Sequence, residues 1–171
     1  MAEPACRLTL VLGGARSGKS HYAEALVRQH PAPWLYIATA QALDEEMVER
    51  IELHRRQRGE GWVTVEAPLD LVGAVASAQP RPALVDCLTL WLSNHLLAGN
   101  DLDTESDRLT ATLIEAGGPT VLVANEVGLG IVPDNALARR FRDAAGRLNQ
   151  RIAAIADSVV LMVAGLPVKV K

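Results

Sequence analysis

A chain of 171 residues with 49% hydrophobic and 22% charged residues is long enough to bury one real core and too apolar to be largely disordered, which points to one domain. Its formal net charge of −3 removes the bulk electrostatic case for a nucleic-acid or membrane-surface partner. No apolar run approaches the roughly 18 residues that cross a bilayer, no basic stretch followed by an apolar one opens the chain, and the two cysteines, Cys6 and Cys87, show neither metal-ligand spacing nor a disulfide framework. A protein of the reducing cytoplasm is expected.

Leu8 to Leu12 reads as a buried strand and His21 to Gln29 as a helix. Between them stands Gly-Gly-Ala-Arg-Ser-Gly-Lys-Ser, residues 13 to 20, which fits the phosphate-loop pattern G-x-x-x-x-G-K-[ST] in its strand–loop–helix context. The glycines let backbone N–H groups turn inward around a triphosphate, and the helix N-terminus adds partial positive charge. A nucleoside triphosphate site is therefore expected on Gly13, Gly14, Ala15, Arg16, Ser17, Gly18, Lys19 and Ser20, with Lys19 as a mobile cation and Ser20 as a ligand of Mg2+. Pro31 and Pro33 break the pattern before a second strand, Trp34 to Ala38. Thr39 falls at its carboxyl end, where open parallel sheets gather ligands; a plain strand-end turn is the alternative.

Asp44 to Arg58 reads as a helix, acidic at its start (Asp44, Glu45, Glu46), basic at its end (Arg55, Arg56, Arg58) and stopped by Gly59. Leu43, Met47, Ile51 and His54 recur at spacings of four, four and three, so His54 lies on or beside the inward face. A histidine there is commonly a satisfied core residue. The functional alternative is an imidazole held toward a phosphate, with Arg55 and Arg58 offsetting charge.

Trp62 to Ala67 alternates as a strand with Glu66 near its end, Leu69 to Ala78 forms a helix, and Ala83 to Val85 is a short apolar strand ending in Asp86. An acid at that position, following a phosphate loop, is where a second magnesium-binding group is expected. Leu88 to Leu97 is an apolar helix with Trp91 and Leu92 in the core. Gly99 to Asp107, polar and acidic, reads as a loop leading into a helix through about Glu115. Thr120 to Ala124 is another buried strand. Asn125 and Glu126 follow, then a loop to Pro133 in which Gly128 and Gly130 free the backbone; Glu126 either orients substrate or caps the loop.

Asp134 to about Asp157 is the longest helix, with an apolar stripe of Leu137, Phe141, Ala144, Leu148, Ile152 and Ile155. Arg139, Arg140, Arg142, Arg147 and Arg151 fall on its other faces, as a solvated surface, a subunit contact or an anion-binding wall. Ser158 to Val163 reads as the last strand and Gly165 to Lys171 as a basic tail. The alternation of strands and helices implies a three-layer α/β sandwich with a mainly parallel sheet.

The order of motifs resembles adenosylcobinamide kinase / adenosylcobinamide-phosphate guanylyltransferase nearly end to end. The resemblance rests on the phosphate loop, Tyr-Ile-Ala-Thr-Ala (36 to 40), Asp-Glu-Glu-Met (44 to 47), Arg50-Ile51 with His54, and Asp86-Cys-Leu-Thr-Leu-Trp-Leu-Ser-Asn94. Asn125-Glu-Val-Gly-Leu-Gly-Ile-Val-Pro133, Phe141-Arg-Asp, Gly146-Arg-Leu-Asn-Gln150 and the closing Gly-Leu-Pro add to it. It implies a P-loop NTPase fold of the RecA-like kind. It also implies a bifunctional enzyme of late coenzyme B12 assembly, which phosphorylates adenosylcobinamide with ATP or GTP and then transfers GMP from GTP through a histidine–GMP phosphoramidate. His54 matches the position of that histidine. The resemblance further implies nucleotide contacts from the phosphate loop, Ala38, Thr39, Ala40, Arg55, Arg56, Gln57, Arg58, Glu66 and Asp86, with His54 and Lys19 catalytic and a homo-oligomer, a trimer, as the working state. An imidazole of ordinary pKa, about 6.5, is largely neutral near pH 7 and so competent as a nucleophile. Two other readings remain open at this point: a simple P-loop kinase with a structural His54, and a nucleotide-binding regulatory module.

Overall fold

Leu10 and Val11 are neighbours on the first strand, point to opposite faces and are both fully buried, so the sheet that contains them is covered on both sides. The computed structural model describes residues 6–41 and 58–171; the helix expected from Asp44 to Arg58, with His54, Arg55, Arg56 and Gln57, falls outside them except for Arg58. Within the described residues the strands are β1 (Leu8–Gly13), β2 (Trp34–Ala38), β3 (Trp62–Glu66), β4 (Ala83–Asp86), β5 (Thr120–Asn125), β6 (Ser158–Val163) and β7 (Leu166–Lys169). The helices are α1 (Lys19–Val27), α2 (Leu71–Ala78), α3 (Leu88–Leu97), α4 (Leu102–Glu115) and α5 (Ala136–Ile155).

The seven strands form one sheet in the order β3-β2-β4-β5-β1-β6-β7. All neighbours are parallel except β6 and β7. One face packs Leu10, Ile37 and Leu122 against Leu71, Trp91, Leu109 and Leu148 of α2 to α5. The other packs Val11, Tyr36, Leu84 and Val123 against Ala23 and Val27 of α1. The three-layer α/β sandwich is as expected, and α1 packs on β5 and β4.

Three differences from the sequence reading have a clear local reason. Helix α1 begins at Lys19 rather than His21, because Gly18 takes φ 91° at its N-cap and lets the chain turn directly into the helix. The polar run from Gly99 is a helix from Leu102 onward: the Asp101 carboxylate accepts from Thr104 N at 2.7 Å, Asp103 and Glu105 lie in the first turn, and Leu102, Leu109 and Leu113 face the core. Acids there complement the helix N-terminus instead of marking a loop.

The third correction is that β6 is not the last strand and the basic tail is not a tail. Val163 pairs with Leu166 across a two-residue turn, Ala164 and Gly165, in which both residues have positive φ, 51° and 80°. That is the backbone a tight hairpin needs to match strand twist. On α5 the stripe is buried at Ala144, Leu148 and Ile152, while Leu137 is exposed. Of its arginines, Arg151 and Arg147 reach Asp103 of α4 at 2.9 and 3.8 Å, and Arg139 donates to Pro133 O at 2.9 Å.

Candidate nucleotide site

Gly13 ends β1 opposite Asn125 of β5 and Met162 of β6. A Cβ there would stand 2.6 Å from Ser17 Oγ and 2.8 Å from Met162 O, so only glycine lets the loop fold this tightly. Arg16 holds φ 55°, a left-handed conformation uncommon for a side-chain-bearing residue. Lys19 is 7% exposed; its Nζ donates to Gly14 O and lies 3.4 Å from Ser17 Oγ. Burial holds the Lys19 ammonium below the usual lysine range, and the neighbouring Asp86 carboxylate opposes that shift.

Asp86 ends β4, two strands from β1 in the sheet. Because α1 runs across β5 and β4, its first turn carries Ser20 over the gap, and Ser20 Oγ donates to Asp86 Oδ2 at 2.9 Å. Tyr36 Oη donates to the same oxygen at 3.0 Å. Burial first, and the Asp86 charge second, push the Tyr36 phenol far above its ordinary range, so it stays a donor. Its ring in turn carries Arg58, whose guanidinium carbon lies 3.5 Å from the ring centroid and whose side chain is almost wholly enclosed. The Cys87 thiol is pushed up to about 11 by burial and then by Asp86, which removes it as a thiolate nucleophile.

These groups line a cleft of about 520 Å³ that runs from the phosphate loop, past Ala38, Ala40 and Asp86, to Arg58 and to Thr64 and Glu66 on β3. Thr64 and Glu66 are two apart on a strand and share a face. Gly13 and Gly14 are not among the lining residues; they shape the turn, while Ala15 to Ser20 form the wall. Thr39 is fully buried, and its hydroxyl donates to Cys87 O at 2.7 Å while accepting from Cys87 N at 2.8 Å. Asn94 Nδ2 donates to Thr39 O at 2.8 Å. Thr39 therefore braces the backbone behind Asp86 rather than facing the cleft with its side chain.

Glu126 accepts from Gly128 N at 2.6 Å, which is loop capping, and it is Asn125 that lines the cleft. Sequence reasoning also missed Tyr36, submerged in the apolar run of β2. The available signal was its position two residues before Ala38, on the same face of a strand whose carboxyl end borders the site.

The Ser20 hydroxyl and the Asp86 carboxylate are hard oxygen donors in direct contact, a pair that suits Mg2+, which is held by one or two protein oxygens together with phosphates and water. Among the described residues there is no group of three or more His, Cys, Asp or Glu able to cage a metal ion. No helix among them is long and apolar enough to cross a membrane.

Against solved structures the fold matches an ATPase of a type III secretion system of pathogenic bacteria (TM-score 0.55, 12% identity, covering 95% of this chain and 56% of the other). It also matches the flagellar accessory protein FlaH from Methanocaldococcus jannaschii (TM-score 0.53, 11% identity, 96% and 78% covered). These likenesses establish the RecA-like P-loop NTPase fold. In sequence the chain is 49% identical to the bifunctional adenosylcobalamin biosynthesis protein CobP of Pseudomonas aeruginosa, over 95% of this chain and 96% of that protein. It is 45% identical to the bifunctional adenosylcobalamin biosynthesis protein CobU of Salmonella typhimurium, over 96% and 99%. Residues 9–170 match the family described as cobinamide kinase / cobinamide phosphate guanyltransferase, and the chain belongs to that family of bifunctional enzymes.

Proposed function

We propose that this chain phosphorylates adenosylcobinamide with ATP or GTP and then transfers GMP from GTP to the resulting phosphate through His54, giving adenosylcobinamide-GDP and pyrophosphate. The observation that carries the reading is the convergence of Lys19, Ser20 and Asp86 on one cleft beside the phosphate loop, in a chain of a family that joins these two activities. In the kinase step a substrate hydroxyl oxygen bonds to the γ-phosphorus and gives up its proton to water, the bond to the bridging oxygen breaks, and the nucleoside diphosphate leaves. Lys19 and the loop N–H groups oppose the negative charge that develops on the transferring and leaving oxygens. Ser20 and Asp86 would hold Mg2+, which when bound would supply further neutralisation of phosphate charge.

In the guanylyl step the neutral His54 imidazole attacks the α-phosphorus and pyrophosphate departs. The substrate phosphate then attacks the same phosphorus, and the N–P bond breaks. Dividing the transfer in this way replaces one difficult displacement between two anions with two easier ones. Arg58, with Arg55 and Arg56, offsets repulsion between these anions, while Gln57, Ala38, Thr39, Ala40 and Glu66 contribute to the nucleotide wall or its support. The protein works in the cytoplasm as a homo-oligomer, a trimer.

A large acceptor with an apolar rim also fits the loop after β5. Leu129 is 85% and Ile131 97% exposed, and the loop is joined to the phosphate loop by Glu126 N donating to Gly13 O at 3.0 Å. Burying one such aliphatic side chain contributes about 1.5–3 kcal/mol. In Ile131→Ser, steady-state kinetics are therefore expected to show KM for the corrinoid raised about tenfold or more, with no comparable change in KM for GTP.

The test of the whole reading uses GTP labelled at the α-phosphorus, incubated with the protein and Mg2+ and followed by denaturation. Acid-labile, base-stable label is expected to stay on the chain from the α position and not from a γ-labelled control. No retained α-label in a protein that binds GTP would leave only a simple kinase or a regulatory module.

A further inference from the structure

We propose that Tyr36 is a positioning residue for nucleotide chemistry: its hydroxyl sets the plane of the Asp86 carboxylate, and its ring sets the height of the Arg58 cation. The inference rests on the nucleotide site proposed above and needs nothing from the corrinoid. Rotation of an aspartate carboxylate about its last torsion is soft, so its plane must be held from outside. Asp86 Oδ2 takes two donors, Ser20 Oγ at 2.9 Å and Tyr36 Oη at 3.0 Å. Ser20 has a second duty as a metal ligand, which leaves Tyr36 as the donor committed to orientation alone.

The ring is equally constrained. Trp62 meets it edge-on with centroids 6.1 Å apart and planes at 82°, and Arg58 lies over its face at 3.5 Å. Arg58 is 4% exposed, and its carbonyl accepts from Arg28 Nη2, so both its main chain and its side chain are held. A stacked guanidinium keeps its charge while its fork stays available in one plane. One side chain thereby couples the carboxylate and the cation that border the same cleft.

Binding of a fluorescent GTP analogue, measured across a Mg2+ series and again in EDTA, separates the two duties. Tyr36→Phe keeps the ring and loses a hydrogen bond to a charged group. The Mg2+ concentration for half-maximal binding is expected to rise about tenfold, while affinity in EDTA stays at the wild-type value. Tyr36→Leu removes the ring as well, so affinity in EDTA also falls. If that variant melts early, Arg58→Gln tests the same half with the Tyr36 ring left in place, with the same expected loss in EDTA. A Tyr36→Phe protein with an unchanged Mg2+ requirement, or one weakened equally with and without Mg2+, overturns the hydroxyl's role. Unchanged EDTA affinity in the folded ring or arginine variant overturns the role of the stack. A wild-type protein that fails to bind the analogue at all would instead sink the nucleotide reading itself.

Discussion

Lys19→Ala is expected to lower kcat/KM of both phosphoryl and guanylyl transfer by about 10²–10³-fold, the range found when one preorganised donor to a developing oxyanion is lost. Both steps drive negative charge onto phosphate oxygens in the loop, and the Lys19 ammonium is the cation that the loop itself encloses, against Gly14 O and near Ser17 Oγ. Thermal unfolding is expected to show no loss of stability in the same variant. Burial holds the Lys19 pKa below its ordinary value, so the folded state disfavours the charged form, and relief of that cost on deleting the side chain offsets the lost contacts to Gly14 O and Ser17 Oγ. Lys19→Arg should not restore the rate, because a longer, planar guanidinium cannot turn back over the loop as an ammonium does. Steady-state assays of the two half-reactions, run beside a melting curve, check all three statements.

His54→Ala separates the half-reactions instead of depressing both. Guanylyl transfer is expected to fall by at least about 10³-fold and covalent α-label to vanish, since the variant lacks the imidazole that the proposed mechanism uses as its nucleophile. Phosphoryl transfer to the corrinoid hydroxyl should persist, because that step moves the γ-phosphoryl directly. Measuring ADP release with adenosylcobinamide and ATP, and pyrophosphate release with adenosylcobinamide phosphate and GTP, distinguishes the two. Equal loss in both assays would mean that His54 supports the fold or the nucleotide rather than forming a bond to it.

Residues 13 to 20 were legible because a phosphate loop is contiguous: every group it needs lies within eight positions, flanked by a strand and a helix. Asp86 was legible for a weaker reason, as an acid ending an apolar strand. Thr39 shows the limit of that logic. The same strand-end position that marks a ligand contact serves equally to brace a neighbouring backbone, and here its hydroxyl is consumed by Cys87. The acidic stretch from Gly99 misled because an N-cap and a loop use the same residues. The segment after Gly165 misled because Ala-Gly is a quiet hairpin turn, whose positive φ at Ala164 composition does not announce.

By itself, the amino-acid sequence determined the alternation of buried strands and helices, the phosphate loop and the class of ligand it takes, since these depend on residues close together along the chain. Tertiary structure alone decided that β2 lies beside β4 and that α1 crosses β5. That placement lets Ser20 and Tyr36, remote from Asp86 in the chain, share one of its oxygens and lets Arg58 settle on the Tyr36 ring. Hydrogen bonds and cation–ring contacts act over a few ångströms, and which side chains come that close is set by strand order, a property of the folded sheet that no local run of residues encodes.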